Sequence, residues 1–369
     1  MQFVAPCLLG LEGLAANELK FKGIDSVRAE NGRILFQGDY ETMARANLCS
    51  SLCARVMILL AEFEARDFDA LFEGVRAVDW SDYLSEHDAF PVKGNSLDSV
   101  LTSIPACQKI IKKAVVEKLR ESYHTSWFEE DGPVHQIQFR IFKNRVSIML
   151  DTTGAALNKR GYRALSGDAP IKETLAATMA EIARVRANHT VCDPFCGSGT
   201  ILIEAARKAL NIMPGIDRSF AFENWDQVDP AILENLRENA CAEVRRDASF
   251  IAYGYDIDDE ALALARRNAE LAGVGDRIVF EKRDIRDYTD EHERLTVITN
   301  PPYGERMLDV SEAQKLYRVM GEKFEHKPMH SYTIISPDDS FEKLFGRPAD
   351  KRRKLYNGTL KCQVYSYYR

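Results

Sequence analysis

The sequence predicts an α/β fold: a doubly wound, mostly parallel sheet in the second half of the chain, preceded by α+β structure in the first half. Strand-like and helix-like segments alternate strictly between residues 189 and 337, which is typical of a parallel sheet covered by helices. The first half mixes short strands and helices punctuated by glycine, without that alternation. A chain of 369 residues has room for two or three domains.

The composition is that of an ordinary globular protein, with 45% apolar and 28% charged residues. The formal charge of 49 − 56 = −7 argues against a uniformly basic surface for nucleic acid. No run of about 18 apolar residues occurs, so we expect no transmembrane helix and no membrane partner. The N-terminus has no basic start before its apolar run and includes Glu12, which is not typical of a signal peptide. The eight cysteines form no C-x-x-C pair, so we expect reduced thiols in a cytoplasmic protein.

The elements of the first half can be followed in order along the chain. The predicted strands are FVAPCLL, RILFQGD and SLCARVMILLAEFEA, and the predicted helices are LEGLAANELKFKG, YETMARANLCS and LFEGVRAVDWSDYL. After them, AFPVKGNSLDSVLTSIPACQKIIKKAVVEKLR predicts a strand and a long basic helix. The alternation in VHQIQFRIFKNRVSIML then predicts two further strands.

The second half supplies the alternating elements, and its tail differs from them. The predicted strands are HTVCDPF, SFIAYGYDI, RIVFEKRDI, LTVITNPP and SYTIISP, and the predicted helices are GTILIEAARKAL, DEALALARRNAELAG and AQKLYRVMGEKFE. An insertion, NIMPGIDRSFAFENWDQVDPAILENLRENA, separates the first two strands. In the tail, Asn357-Gly358 between two strand-like runs predicts a hairpin.

Positive charge is concentrated in two segments of this acidic chain. Residues 140–163 carry six Lys/Arg and one acid (+5), and residues 342–369 carry eight Lys/Arg and two acids (+6). A solvated surface and a nucleic-acid contact explain each segment equally well on sequence grounds.

The first motif, Asp193-Pro194-Phe195-Cys196-Gly197-Ser198-Gly199-Thr200, follows a predicted strand and opens a helix. Glycines let the backbone approach a ligand closely, and the helix start offers free N–H donors. The motif matches neither the P-loop nor the dinucleotide pattern, so it argues against both classes. A carboxylate at the end of the strand suits a cationic amino group; a tight turn capped by aspartate is the alternative.

Acidic residues also end the next two predicted strands. Asp256 occupies the position that holds ribose hydroxyls in nucleotide-binding folds, and Asp258 is predicted to cap the following helix. Asp284 is a candidate partner for an adenine amine, although a turn residue would explain it equally well.

The most informative motif is Asn300-Pro301-Pro302-Tyr303, which follows the strand LTVIT. Two prolines fix the backbone and remove two N–H donors, while Asn300 adds a side-chain carbonyl and Tyr303 an aromatic face. These groups can accept both hydrogens of a planar exocyclic amine and stack on its ring. A rigid Pro-Pro turn without function is the alternative.

On these motifs, DPFCGSGT and NPPYGER, the second half resembles class I S-adenosylmethionine-dependent methyltransferases of the amino-methylating type. The first half resembles a ferredoxin-like domain followed by a THUMP domain, through FPVKGNSLDSVLTSIPACQKIIKKAVVEKL, LDTTG and KRGYR. Together they resemble THUMP-containing methyltransferases that act on the 2-amino group of guanine in ribosomal RNA or tRNA. Some bacterial members carry two methyltransferase domains, whereas this sequence shows the motifs of a single methyltransferase domain.

The resemblance implies a fold and a domain order. We expect a Rossmann-like methyltransferase domain, with a mostly parallel seven-stranded sheet and a C-terminal antiparallel hairpin, behind α+β ferredoxin-like and THUMP domains. The predicted boundaries are 1–55 for the ferredoxin-like domain, 56–155 for the THUMP RNA-binding domain, 156–170 for a linker and 171–369 for the methyltransferase domain.

The resemblance also implies a cofactor, S-adenosylmethionine, no metal, and a set of site residues. The expected cofactor-binding residues are Asp193, Phe195, Cys196, Gly197, Ser198, Gly199, Thr200, Asp256, Ile257, Asp284 and Asn300. The expected catalytic residues are Asn300, Pro301, Pro302 and Tyr303. Residues 161–163 and 170–173 resemble a lid and first helix over the cofactor. Cys192 and Cys196 are expected to be packing thiols, because amine methylation needs no covalent nucleophile.

Structured RNA is the expected partner, and we expect the protein to bind its phosphates and to recognise the shape of the RNA. The candidate RNA-binding residues are Lys93, Lys109, Lys112, Lys113, Lys159, Arg160 and Arg163. We expect Trp127 and Trp225 to pack in the core, although either could stack on a base. Large-subunit ribosomal RNA is the favoured target. A tRNA guanosine methyltransferase, an enzyme for adenine in DNA or an amide in protein, and a non-catalytic RNA-binding protein remain alternatives.

Overall fold

The computed structural model describes residues 1–125, 127–163, 171–290, 292–304, 310–358 and 360–368. It contains two seven-stranded sheets, one in each half of the chain. The first is built from β1 (Gln2–Pro6), β2 (Arg28–Glu30), β3 (Arg33–Gln37), β4 (Met57–Glu64), β5 (Val92–Leu97), β6 (Ile137–Phe142) and β7 (Arg145–Asp151). Its helices are α1 (Glu12–Phe21), α2 (Tyr40–Cys49), α3 (Phe68–Arg76) and α4 (Ile104–Tyr123).

The first sheet runs continuously through the two expected N-terminal domains. Its order is β2-β3-β1-β4-β7-β6-β5, and every neighbouring pair is antiparallel except β5 and β6. Strand β4 pairs on one side with β1, where Phe3 faces Ile58, and on the other with β7. The ferredoxin-like and THUMP portions therefore share backbone hydrogen bonds.

The second sheet is the predicted doubly wound one. Its strands are β8 (Thr190–Asp193), β9 (Ile251–Asp256), β10 (Ile278–Lys282), β11 (Leu295–Thr299), β12 (His330–Ser336), β13 (Lys351–Asn357) and β14 (Leu360–Tyr367). Its helices are α5 (Glu173–Ile182), α6 (Thr200–Ala209), α7 (Pro230–Ala242), α8 (Asp259–Leu271), α9 (Val310–Lys323) and α10 (Phe341–Phe345).

The order β10-β9-β8-β11-β12-β14-β13 places the site. The first five strands are parallel, and β14 is antiparallel to both β12 and β13, which confirms the parallel sheet with a C-terminal hairpin. The chain order reverses between β8 and β11, and ligands of open α/β sheets bind at such a switch point, beyond the carboxyl ends of the strands. Asp193, Asp256 and Asn300 lie at or directly after those ends.

The insertion between β8 and β9 joins the two halves, a role that the sequence did not reveal. Its apolar side chains belong to the same core as the first sheet, and Trp225 (4% exposed) stacks on His135 of the first half with ring centroids 4.4 Å apart. The Trp225 indole N–H donates to the Val134 carbonyl at 3.2 Å. The expectation of core packing is thus confirmed for Trp225.

Core packing is wrong for Trp127, which is 72% exposed in the segment after α4. The adjacent Phe128 takes the buried position of this segment: it is 8% exposed and its ring lies edge-on to Phe90 with centroids 6.2 Å apart. No helix of the described residues is long and apolar enough to cross a membrane.

Candidate active site

The carboxyl end of β8 presents a buried acid without a cationic partner. Asp193 is 1% exposed, and its Oδ1 accepts hydrogen bonds from the Thr299 hydroxyl at 2.7 Å and the Phe195 N–H at 3.1 Å. No Lys, Arg or His of the described residues forms an ion pair with it. Burial raises the pKa of the Asp193 carboxyl to about 7. A cationic ligand group would stabilise the carboxylate form.

The two glycines of the first motif serve different ends. Gly197 and Gly199 both have positive φ, +50° and +79°. A Cβ on Gly199 would lie 3.1 Å from atoms of Ala265 and Phe280, so packing within the protein explains that glycine. A Cβ on Gly197 would meet no heavy atom of the described residues within 4 Å, so its backbone borders open space that a ligand can enter.

Asp256 ties the end of β9 to this glycine turn. Its Oδ2 accepts from the Gly197 N–H at 2.9 Å and its Oδ1 from the Asp258 N–H at 3.1 Å. Asp258 in turn accepts from the Glu260 N–H at 2.9 Å and caps α8, as predicted. The Ile257 side chain between them is 65% exposed. Each Asp256 oxygen keeps lone-pair capacity for a ligand hydroxyl.

Asp284, after β10, is engaged within its own turn. It accepts from the Arg286 N–H at 2.8 Å and pairs with the Arg286 guanidinium at 2.8 Å. The structure therefore gives it a turn-stabilising role, which the sequence had left as an alternative to an adenine contact.

Asn300 differs from these acids in having an unused acceptor. Asp193, Asp256 and Asp284 each accept from the backbone N–H two residues ahead, which is the usual turn made by Asp and Asn. Two residues ahead of Asn300 stands Pro302, which has no N–H. The buried Asn300 Oδ1 accordingly has no hydrogen-bond partner in the part of the chain that the structure describes.

Tyr303 is held by the C-terminal hairpin. Its hydroxyl accepts a hydrogen bond from the Asn357 side-chain amide at 2.6 Å. Asn357 was predicted as a turn residue only, because nothing in its local sequence indicates which strand end the hairpin would meet. Residues 305–309, which follow this motif, lie outside the described part of the chain.

The expected lid residues meet the first motif from the other side. Arg163 donates to the Thr200 hydroxyl at 2.7 Å and to the Ile171 carbonyl at 3.1 Å, and lies 3.3 Å from Glu173 of α5. The guanidinium is thus engaged beside the glycine turn, and the assignment of Arg163 to RNA binding stays a prediction. Ser198 and Thr200 share a hydroxyl contact at 3.2 Å. Pro170 lies outside the described residues.

The two cysteines near the site are buried packing groups, as expected. Cys192 is 2% and Cys196 6% exposed, and burial raises the pKa of both thiols well above the usual range. Both are therefore neutral near pH 7 and unsuited to nucleophilic attack.

The remaining candidate RNA contacts divide by exposure. Lys93, Lys109, Lys113 and Lys159 are exposed. Lys112 is partly buried, where it pairs with Glu130 at 2.6 Å and donates to the Phe90 carbonyl at 3.1 Å. Arg160 is 1% exposed and donates to the Leu157 and Ser51 carbonyls at 2.8 and 2.7 Å, so its assignment to RNA binding is wrong.

Together these residues fit S-adenosylmethionine. The Asp193 carboxyl, which has no cationic partner among the described residues, suits its ammonium group, and the open side of Gly197 beside Asp256 suits its ribose. Asn300 adds, on the adjoining strand end, an acceptor that no donor of the described ranges occupies.

Comparisons with known families agree with this reading. Residues 160–366 match the family described as the RMKL-like methyltransferase domain. Residues 2–57 match the RlmL ferredoxin-like domain, and residues 65–151 match the THUMP domain.

Individual relatives extend over the whole chain. "Putative RNA methyltransferase YpsC" of Bacillus subtilis is 37% identical over 99% of this chain and 95% of its own. "Ribosomal RNA large subunit methyltransferase K/L" of Shewanella frigidimarina is 32% identical over 99% of this chain but only 52% of its own, so this chain spans about half of that relative. The crystal structure of SMU.472 complexed with SAH superposes with a TM-score of 0.94 at 40% identity, covering 100% of this chain and 97% of the other. The chain thus belongs to the RMKL-like methyltransferase family, with S-adenosylmethionine as its cofactor and with ferredoxin-like and THUMP domains ahead of its methyltransferase domain.

Proposed function

We propose that the enzyme methylates the exocyclic 2-amino group of a guanosine in structured RNA, with large-subunit ribosomal RNA as the favoured target. The observation that carries the chemistry is the buried Oδ1 of Asn300 beside two prolines, which has no hydrogen-bond partner among the described residues. A buried acceptor without a partner is unfavourable by about 1–3 kcal/mol, so its retention supports a ligand donor. An amine with two N–H groups is such a donor.

The residues of the chain act by positioning and by charge. S-adenosylmethionine supplies an electrophilic methyl group on a sulfonium, so the chemistry needs no covalent nucleophile. Asn300 Oδ1 accepts one N–H of the guanine amine, and the Pro301 carbonyl accepts the other. These bonds turn the nitrogen lone pair toward the methyl group and strengthen as the nitrogen becomes cationic. The nitrogen–carbon bond forms, the carbon–sulfur electron pair stays on sulfur, and the amine releases a proton to solvent.

The base has to leave its stack to reach this pocket, and Tyr303 offers a replacement ring face. The hydrogen bond from Asn357 reaches the hydroxyl of Tyr303, at the rim of the ring, and so fixes the orientation of the ring. The RNA preference rests on the THUMP match and on the names of the relatives.

Product analysis tests this proposal. The full chain is incubated with S-adenosylmethionine and either unmodified large-subunit ribosomal RNA or unmodified tRNA, and the digested nucleosides are identified by mass spectrometry. We expect N2-methylguanosine from the ribosomal RNA. N2-methylguanosine from tRNA alone would overturn the ribosomal target but keep the chemistry. N6-methyladenosine, or no methylated nucleoside, would overturn the proposed reaction.

A further inference from the structure

The end of the β13–β14 hairpin lies at the edge of the sheet that carries the candidate active site. Strand β14 is antiparallel to β12, and β13 is antiparallel to β14, so β13 runs parallel to β12 and ends at that edge. In this pairing Tyr356 faces Lys361, and Lys354 faces Gln363 one step further from the turn. We call Lys354, Tyr356 and Lys361 the hairpin tip.

The hairpin tip presents two lysines and an aromatic ring on one face. Alternate residues of a strand point to the same side, as do residues directly opposite each other. Both lysines are exposed, and Tyr356 is 41% exposed. Neither lysine forms an ion pair with any residue of the described ranges.

The neighbouring arginines of β13 are engaged differently. Arg352 pairs with Glu342 at 2.9 Å, and Arg353 donates to the Gly10 carbonyl at 3.0 Å. The hairpin is therefore fixed to α10 and to the ferredoxin-like half, while the charges at its tip remain available. On an ordinary protein surface, lysines are commonly balanced by nearby acids, whereas the two lysines of the hairpin tip have no such ion pair among the described residues.

The residue that follows Tyr356 in β13 connects the hairpin to the catalytic motif, with its side chain on the face opposite to the hairpin tip. Asn357, the last residue of β13, donates the 2.6 Å hydrogen bond to the Tyr303 hydroxyl. A strand of nucleic acid whose target base stacks on Tyr303 would continue past this corner, where the next phosphates meet the two lysines.

We propose that the hairpin tip binds the RNA strand next to the target nucleotide, with Lys354 and Lys361 on phosphates and Tyr356 against a neighbouring base. The inference rests on the proposed function. It adds a contact within the methyltransferase domain that is separate from the THUMP domain, and it fits a partner with a regular negative backbone and flat bases.

The test compares two double variants of the full chain, each of which loses two positive charges from the same basic segment. K354Q/K361Q removes the charges of the tip. K343Q/K351Q removes exposed lysines on α10 and at the start of β13, about 20 Å along the strand from the turn. For each, the dissociation constant for unmodified large-subunit ribosomal RNA is measured between 50 and 200 mM salt, together with the affinity for S-adenosylhomocysteine.

We expect K354Q/K361Q to bind the RNA about tenfold more weakly at the lower salt concentrations, with a salt slope smaller by about 1.4 to 1.8. K343Q/K351Q should match the wild type, and cofactor affinity should be the same in all three proteins. Wild-type RNA affinity and salt slope in K354Q/K361Q, while the wild type methylates guanosine in RNA, would overturn this inference alone. A wild type that methylates no RNA would overturn the proposed function and, with it, this inference.

Discussion

The hydroxyl of Thr299 donates a 2.7 Å hydrogen bond to the buried carboxyl of Asp193, which joins the strand end of the cofactor motif to the strand end of the catalytic motif. Thr299 directly precedes Asn300 in the chain. The side chain proposed to accept from the target amine is therefore adjacent to the residue that is hydrogen-bonded to Asp193, the acid proposed to bind the cofactor. The positions proposed for the methyl donor and for the methyl-accepting amine therefore lie at the ends of neighbouring strands of one sheet, an arrangement that suits in-line transfer.

Cofactor binding should depend on pH through Asp193. Burial raises the pKa of Asp193 in the folded protein to about 7, above the ordinary value of about 3.9. The contribution of this group to folding stability is therefore fully present below about pH 3.9 and is lost as pH rises through about 7. The cofactor's ammonium requires the carboxylate, so affinity for S-adenosylhomocysteine should rise about tenfold per pH unit below 7 and level off above it. Calorimetry between pH 5.5 and 8 checks this. Asp193→Asn should bind weakly with a flat profile, and a flat wild-type profile would contradict the assignment.

Loss of Asn300 should reduce chemistry rather than binding. Asn300→Ala removes an acceptor whose bond strengthens in the transition state, so single-turnover methyl transfer should fall by about 10²–10³ with cofactor affinity within a few-fold of wild type. Because the Oδ1 has no partner among the described residues, its removal breaks no hydrogen bond seen there. The unfolding temperature of the variant should therefore change only by the small effect of lost packing. Wild-type rates in a folded Asn300→Ala protein would remove the residue from the mechanism. Asn300→Asp should keep part of the activity, since a carboxylate still accepts.

Replacing Pro302 should slow methyl transfer, because Pro302 has no N–H that could donate to the Asn300 side chain. Pro302→Ala restores an N–H two residues ahead of Asn300, where it can close the turn seen at Asp193, Asp256 and Asp284. The competing bond should slow methyl transfer about 2- to 10-fold at unchanged cofactor affinity. Pro301→Ala is the matched control, since it restores an N–H one residue ahead that cannot close this turn. A larger loss in Pro301→Ala than in Pro302→Ala would contradict the explanation.

The Asn357–Tyr303 hydrogen bond should couple the hairpin to catalysis. Asn357→Ala and Tyr303→Phe each remove one partner of the same bond while leaving the Tyr303 ring face in place. Each should slow methyl transfer by about 2- to 10-fold, and the double variant should be no slower than the worse single one. A double-mutant cycle on single-turnover rates measures this coupling. Additive losses would show that the two residues act independently.

Arg160 and Lys159 are adjacent in the chain, but we expect substitution of Arg160 to reduce stability and substitution of Lys159 to reduce RNA binding. Arg160→Met leaves Glu204 and the carbonyls of Leu157 and Ser51 without their buried cation, so stability should fall by about 3–5 kcal/mol. Lys159→Met should leave stability within about 0.5 kcal/mol and weaken RNA binding with a smaller salt slope. Urea unfolding and RNA titrations of both variants check this. An Arg160→Met protein of wild-type stability would contradict the structural role.

The sequence by itself determined the features that are set within a few residues. The strand-helix alternation predicted the parallel sheet, Asp258 was predicted to cap α8, and Asn357-Gly358 predicted the hairpin. The two motifs placed polar groups at the ends of neighbouring strands. Each of these depends on backbone conformation, periodicity or a hydrogen bond to a near neighbour, and such short-range physics can be read from a local window.

Only the tertiary structure decided which distant groups meet. It placed Asn357 against Tyr303, buried Arg160 between the two halves, left Trp127 exposed, and drew the insertion with Trp225 into the core of the first half. A positive charge or an indole has the same local pattern whether it faces water or a partner 100 residues away. Its environment is set by how whole elements pack, which no local window contains.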